Sequence, residues 1–333
     1  MARARKKGSG SPREYNIPKP DSAQTYLDLA LSRGSKRALL IKGGLDRVLK
    51  ARNQEEERFR EINGALVDTL TRVHDAYPSF DQMSEFMRHL FALDLDVGRA
   101  KLALGGLHHA ITTIKGLTRE HQQYLRRATS IDGIVKVRSA YIGRVSSIMR
   151  QTGKHLEVLV QARDVLRGLP SLDDTLFTVA IAGFPNVGKS TLLAKLTTAK
   201  PEIKPYAFTT KGLNVGYFDY KYNQVQLIDT PGTLNRRNPN PIERKADATI
   251  KYLAHAIIYV FDPTEQTYPM DEQEELLSRI DETGKHILIY VSKTDIVDKK
   301  AVDAIRAKHD TVYTEQEPLQ KELVAIMRKE FLS

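Results

Sequence analysis

Residues Gly183 to Thr191 read GFPNVGKST, a G-x-x-x-x-G-K-[ST] pattern whose residue types suit a chain of linked phosphates. Gly183 and Gly188 let backbone N–H groups curl around phosphate oxygens. A helix starting beside them adds partial positive charge. The Lys189 ammonium suits the terminal phosphates, and the Ser190 hydroxyl suits a Mg²⁺ ion. Pro185, Asn186, Val187 and Thr191 complete the candidate nucleotide-binding set of this loop.

Further along comes QLIDTPGT, with Asp229 and Gly232 in D-x-x-G spacing. Asp229 ends a strand, where a carboxylate can reach Mg²⁺ through water, and the Gly232 N–H can meet a γ-phosphate. Between the two motifs lies YAFTTKG, Tyr206 to Gly212. A Thr on such a loop completes the Mg²⁺ shell while the γ-phosphate is present and lets go after hydrolysis. Thr209 and Thr210 both qualify. Ser292-Lys293-Thr294-Asp295 differs by one letter from Asn-Lys-x-Asp, the segment with which GTPases read guanine. Asp295 can accept from guanine N1 and N2, which adenine cannot offer, and the Lys293 stem can lie across the base. Alone, the tetrad reads equally as a surface loop after a buried strand. Its order behind three phosphate motifs makes it a base site. The nucleotide expected is therefore GTP or GDP, with Mg²⁺ on Ser190, Asp229 and one of Thr209 and Thr210.

These motifs need a scaffold that delivers loops to one edge. LFTVAIAGF (residues 176–184) reads as a buried strand, followed by strand candidates NVGYFDY, QVQLIDT, AIIYVFD and HILIYVS. Helical segments follow several of them, so the pattern predicts a mostly parallel α/β sheet with its ligand at the strand carboxyl ends. Before Gly168-Leu169-Pro170 the grammar is helical. Candidate helices are 22–33, 44–75, 80–92, 96–127 and 134–168. On the last, Val137, Tyr141, Val145, Ile148, Leu156 and Leu159 form one apolar stripe. Lys136, Arg144, Arg150 and Lys154 lie on the opposite arc. The expected organisation is a basic disordered arm (1–20), a helical bundle (21–170) and a P-loop GTPase domain (171–333), an α + α/β chain.

Charge divides the same way. Residues 1–170 carry 30 Lys+Arg against 18 Asp+Glu, a surplus of 12; residues 171–333 carry 21 against 23. A surplus confined to one half suggests either a polyanion partner for that half, with Lys136, Arg144, Arg150 and Lys154 as candidate contacts, or a solvated basic surface. There is no cysteine, which excludes disulfides and thiolate metal sites and fits an intracellular protein. No apolar run approaches the ~20 residues that span a bilayer. The N-terminus lacks the apolar core of a secretory signal. A cytoplasmic protein, monomeric in isolation, is expected.

GFPNVGKST, KPYAFTTKGLNVGYFDYKYNQVQLIDTPG and the following IER together resemble the nucleolar-type GTP-binding proteins, the NOG family within the Obg group of GTPases. So do DLALSR, YPSFDQMSEFM, KLALGGLHHA and SAYIGRVSSIMRQTGKHLEVLVQARDVLRGLPSLD in the helical half. The likeness runs from about Ile17, and the stop soon after the G domain resembles an archaeal form. The resemblance implies a switch in large ribosomal subunit assembly whose helical domain contacts ribosomal RNA on the precursor particle. It also implies a K⁺ ion at Asn186, in the role of an arginine finger. Lys189, Asn186, Thr209 or Thr210, and Gly232 would then be the groups serving hydrolysis.

The departures from the pattern concern hydrolysis and the base. Thr233 stands where many GTPases place a water-orienting Gln, so intrinsic hydrolysis should be slow and dependent on a partner or ion. Ser292 replaces the Asn that braces the base loop, which predicts weaker binding with guanine preference retained. The usual Ser-Ala base motif is not recognisable, and Thr314 is its nearest stand-in. A nucleotide-binding RNA placeholder with little turnover is the second reading. A P-loop kinase or ATPase is the third, and D-T-P-G with the Thr loop argues against it.

Overall fold

A computed structural model of the chain describes residues 15–42, 46–170, 172–198, 200–204, 213–230 and 241–331. They form two compact units: Tyr15–Met83 with Asp94–Arg167, and Ser84–Leu93 with 168–331.

The first half contains α1 (Ala23–Leu39), α2 (Arg47–Asp75), a 3-10 turn at Phe80–Gln82, α3 (Glu85–Asp94), α4 (Val97–Arg127) and α5 (Ile131–Gly168). Side chains of Ser22, Asp46 and Asp96 cap α1, α2 and α4, each accepting from a backbone N–H two or three residues on. In the helical unit Phe59, Ile62, Leu66 and Leu70 of α2 are fully buried. So are Leu107 and Ile114 of α4, and Tyr141, Val145 and Leu159 of α5. The Phe59 and Tyr141 rings stack at 4.0 Å, and the Tyr141 hydroxyl is 3.0 Å from Thr118 Oγ1.

Three expectations for this half change. Helix α1 runs to Leu39 rather than stopping at 33, because Gly34 is a packing residue: a Cβ there would meet Ile62 at 2.7 Å. The helix expected over 80–92 breaks at Met83, which is extended, and α3 restarts after Ser84, whose hydroxyl accepts from Met87 N. That restarted segment groups with the second half, where His89 stacks on Tyr252 at 3.7 Å, and not with 21–170. Nor are residues 15–20 of the expected arm loose. Ile17 is buried and its carbonyl accepts from Arg163 Nε at 2.9 Å, while residues 1–14 lie outside the described residues.

The second half follows as β1 (Phe177–Ala182), α6 (Lys189–Leu196), β2 (Glu202–Lys204), β3 (Leu213–Tyr220), β4 (Asn223–Asp229), α7 (Pro241–Ala248), a π turn at Thr249–Leu253, β5 (Ala256–Phe261), α8 (Met270–Asp281), β6 (His286–Val291), α9 (Lys299–Lys308), β7 (Val312–Tyr313) and α10 (Gln316–Glu330). The sheet order is β2-β3-β4-β1-β5-β6-β7. β4, β1, β5, β6 and β7 are parallel; β2 and β3 join antiparallel at one edge. All five expected strands are present. The other two, β2 of three residues and β7 of two, are too short to show a period. Every residue of β1 and β5 is buried, so those strands read as continuous apolar runs rather than alternations. The parallel strands bring the carboxyl ends of β1, β4, β5, β6 and β7 to one edge. Among the described residues no helix is long and apolar enough to cross a membrane.

Candidate nucleotide site

Four loop regions meet at that edge. The loop after β1 begins at Gly183 (φ +137°), where a Cβ would lie 2.7 Å from the Val260 carbonyl, so no side chain fits. Asn186 at the exposed tip (φ +64°) and Gly188 (φ +98°) are both left-handed, which Asn and Gly accept most readily. Pro185 is half-buried and Val187 buried, while Ser190 and Thr191 are exposed on α6. The loop thus bends back on itself and hands its chain to α6 at Gly188, the residue before Lys189.

Lys189 is buried, and its Nζ donates to the Phe184 carbonyl at 2.7 Å. Burial lowers its pKa, with the nearby Asp229 charge opposing. One of its three protons is committed to the loop, and two remain for phosphate oxygens. Asp229 lies beside Ile181 in the β1–β4 register, at the base of the loop. Ser190 Oγ donates to Asp229 Oδ2 at 2.5 Å, and Asn214 Nδ2 donates to the same oxygen at 3.2 Å. Thr230 locks the end of β4 to β1 by donating from N and Oγ1 to the Ile181 carbonyl. Thr209, Thr210, Gly232 and Thr233 lie outside the described residues.

The base segment follows β6. Ser292 is buried, and its Oγ lies 2.6 Å from the Val187 carbonyl and 3.0 Å from the Phe261 carbonyl. The brace assigned to an Asn is therefore made by the serine. Lys293 (φ +52°) extends its Nζ to Asp262 Oδ2 at 2.6 Å. Burial raises the Asp262 pKa, but hydrogen bonds from Lys293 and Thr264 outweigh it and hold the carboxyl below its ordinary value. Asp295 is exposed and makes no hydrogen bond or ion pair among the described residues, so both oxygens are open to donors. The β6–β7 register, with Tyr290 beside Tyr313, places Thr314 next along the same edge, half-buried.

Sequence reasoning missed Asn214, Thr230 and Asp262. Asp262 had a visible signal, a carboxylate directly after six apolar residues. Asn214 and Thr230 carry none, since their partners lie on other strands.

In the helical unit, Lys136, Arg144, Arg150 and Lys154 are all exposed on α5. They are not equivalent, nor do all four lie opposite the apolar stripe: Arg144, seven residues after Val137 on the same helix, borders it. Lys136 pairs with Asp132 at 3.1 Å and Arg144 with Glu120 at 3.6 Å, whereas Arg150 and Lys154 have no ion pair among the described residues.

Family models match the chain in two successive stretches. A family model for the NOG1 N-terminal helical domain matches residues 15–173, and one for 50S ribosome-binding GTPase matches residues 178–293. An uncharacterized protein of Methanocaldococcus jannaschii is 37% identical over 278 residues, 82% of this chain and 78% of its own. Nucleolar GTP-binding protein 1 of Encephalitozoon cuniculi is 32% identical over 298 residues, 86% of this chain and 56% of its own. Its Drosophila melanogaster counterpart is 31% identical over 280 residues, 83% and 43%. The chain spans about half the length of these nucleolar relatives. With a helical half and a P-loop GTPase half matched in that order, the chain belongs to the nucleolar GTP-binding protein (NOG) family.

Proposed function

We propose that the chain binds GTP and GDP at this edge, hydrolyses GTP slowly, and acts as a switch in large ribosomal subunit assembly. The single observation that supports the nucleotide reading is the tie between Ser292 Oγ and the Val187 carbonyl, which joins the candidate base loop to the candidate phosphate loop. A chance Gly-rich turn has no reason to be bonded to such a segment 105 residues on.

The donor set fits Mg²⁺. Ser190 hydroxyl and Asp229 carboxylate converge on one point, and both are hard oxygen ligands. Among the described residues no group of three His, Asp or Glu could hold a metal. An ion here would take its remaining ligands from phosphate, water and Thr209 or Thr210. It would neutralise phosphate charge as bonds to the γ-phosphoryl group change. Lys189, the Gly232 N–H and, with K⁺, Asn186 would supply the remaining positive field. Faster turnover in K⁺ than in Na⁺ is expected.

Docking on ribosomal RNA of the precursor large subunit is the proposed task of the helical unit. It is supported by the basic surplus of residues 1–170 and by the nucleolar relatives' names. Single-turnover GTP hydrolysis, with and without purified large subunits, tests the switch: acceleration by subunits is expected. Tight GDP binding with no acceleration would favour the placeholder reading, to which Thr233 in place of Gln points.

A further inference from the structure

We infer that Asp262 is the positioning residue for base recognition, setting the direction of Lys293 and through it the place of Asp295. The inference rests on the nucleotide reading of this edge. Asp262 is 3% exposed, directly after β5, and outside every motif recognised in the sequence. Each of its polar atoms has a dedicated partner. Oδ2 receives Lys293 Nζ, and Oδ1 receives both Thr264 N at 3.0 Å and Thr264 Oγ1 at 2.7 Å. Its backbone N donates to Gln273 Oε1 at 2.9 Å and its carbonyl accepts from Gln273 Nε2 at 3.0 Å. Gln273, itself buried on α8, also donates to the Tyr268 carbonyl. A carboxylate fixed at backbone and side chain can hold a mobile lysine in one place.

The lysine needs holding. Its φ of +52° is a conformation that non-glycine residues occupy only when the surroundings impose it. The loop is pinned at two consecutive residues to Phe261 and Asp262 at the end of β5: Ser292 to Phe261 and Lys293 to Asp262. With its ammonium tied down, the Lys293 stem has a fixed direction and can serve as an apolar platform for a purine. Asp295, two residues on, is then presented at a set distance. The carboxylate thus acts at one remove: it touches no nucleotide atom, but it orients a residue that can.

The test is the ratio of GDP to IDP affinity, since hypoxanthine lacks the exocyclic amine and loses one of the two bonds to Asp295. In wild-type protein GDP should bind about ten-fold tighter than IDP, as one charge-assisted bond allows. Asp262→Asn should release GDP ~10-fold faster and bring the ratio close to one; the thermal midpoint of the nucleotide-free protein, expected to fall because a buried pair is broken, is read separately. Lys293→Met, which keeps the stem and drops the charge, should do the same. The double variant should be no worse than either single one, because both remove one interaction. Equal weakening toward GDP and IDP, with the ratio preserved, would make Asp262 a structural residue only and overturn the inference. If wild-type protein binds ADP as well as GDP, the base site itself is misassigned, a separate failure visible before any variant is made.

Discussion

Ser292 Oγ lies 2.6 Å from the carbonyl of Val187, a residue of the phosphate loop. Ser292, standing where the pattern has an Asn, reaches this carbonyl because the β6 end already stands against the loop. A Cβ on Gly188 would be only 3.4 Å from Ser292 Cβ. Ser292→Ala leaves a buried carbonyl without its donor, at a cost of about 1 kcal/mol. GDP should bind about five-fold more weakly by calorimetry. Ser292→Thr, which keeps the hydroxyl, should recover most of that. Since the brace exists, Ser292→Asn should not tighten GDP; a clear gain would show that the serine bond is an inferior substitute.

Lys189 buries a charge at some expense to the nucleotide-free fold. Its ammonium is buried on a backbone carbonyl, and burial lowers its pKa. Removing a desolvated charge that has found only one neutral acceptor is usually tolerated or stabilising. Lys189→Met should therefore leave the nucleotide-free thermal midpoint within ~2 °C of wild type, or raise it. The increase in midpoint produced by saturating GDP and Mg²⁺ should vanish. A midpoint lowered by several degrees would show that the lysine holds the loop together rather than awaiting phosphate.

How much of this could be read beforehand depends on whether the cause is local. The phosphate loop was legible because its chemistry is written in nine consecutive residues. The parallel sheet was legible because its buried strands appear as apolar runs. The end of α1 was hidden because Gly34 packs on Ile62, a residue of another helix. The home of α3 was hidden for the same cause: His89 finds its partner in Tyr252, far along the chain. Asp262 looked like the polar end of a strand, and its importance shows only with Lys293 beside it. Local grammar reports what a segment can become, and non-local partners decide where it settles.

His255 gives the second half a pH dependence of calculable sign. It lies between Phe177 and Phe331, and its Nδ1 accepts from Thr178 N, so that nitrogen must be unprotonated. Burial first, then the Lys285 charge, lower its pKa below the ordinary 6.5. Below about pH 6.5 the unfolded chain binds a proton that the folded imidazole resists, so stability falls with falling pH. The loss continues until the folded imidazole also protonates. Above that window the histidine contributes no slope. His255→Asn, which keeps an acceptor for Thr178, should make urea midpoints at about pH 7.5 and about pH 5.5 more alike than in wild type. An unchanged difference would assign the slope to other groups.

The basic face of α5 should not act as a uniform patch. Lys136 and Arg144 each sit beside a carboxylate, Asp132 and Glu120, while Arg150 and Lys154 have none among the described residues. An RNA phosphate approaching Lys136 or Arg144 competes with that partner and meets its repulsion. At Arg150 and Lys154 it meets neither. Each RNA phosphate that goes unneutralised lowers the log–log salt slope by ~0.7 to 0.9. Arg150→Glu with Lys154→Glu should therefore lower the slope for ribosomal RNA by about 1.5 and weaken binding strongly at low salt. Lys136→Glu with Arg144→Glu should lower it by about half as much. GDP affinity should be unaffected in both double variants, because every described residue of the candidate nucleotide site lies in the second half. Equal slopes for the two variants would show that bound RNA displaces Asp132 and Glu120 freely. A slope unmoved by either would take RNA off this face of α5.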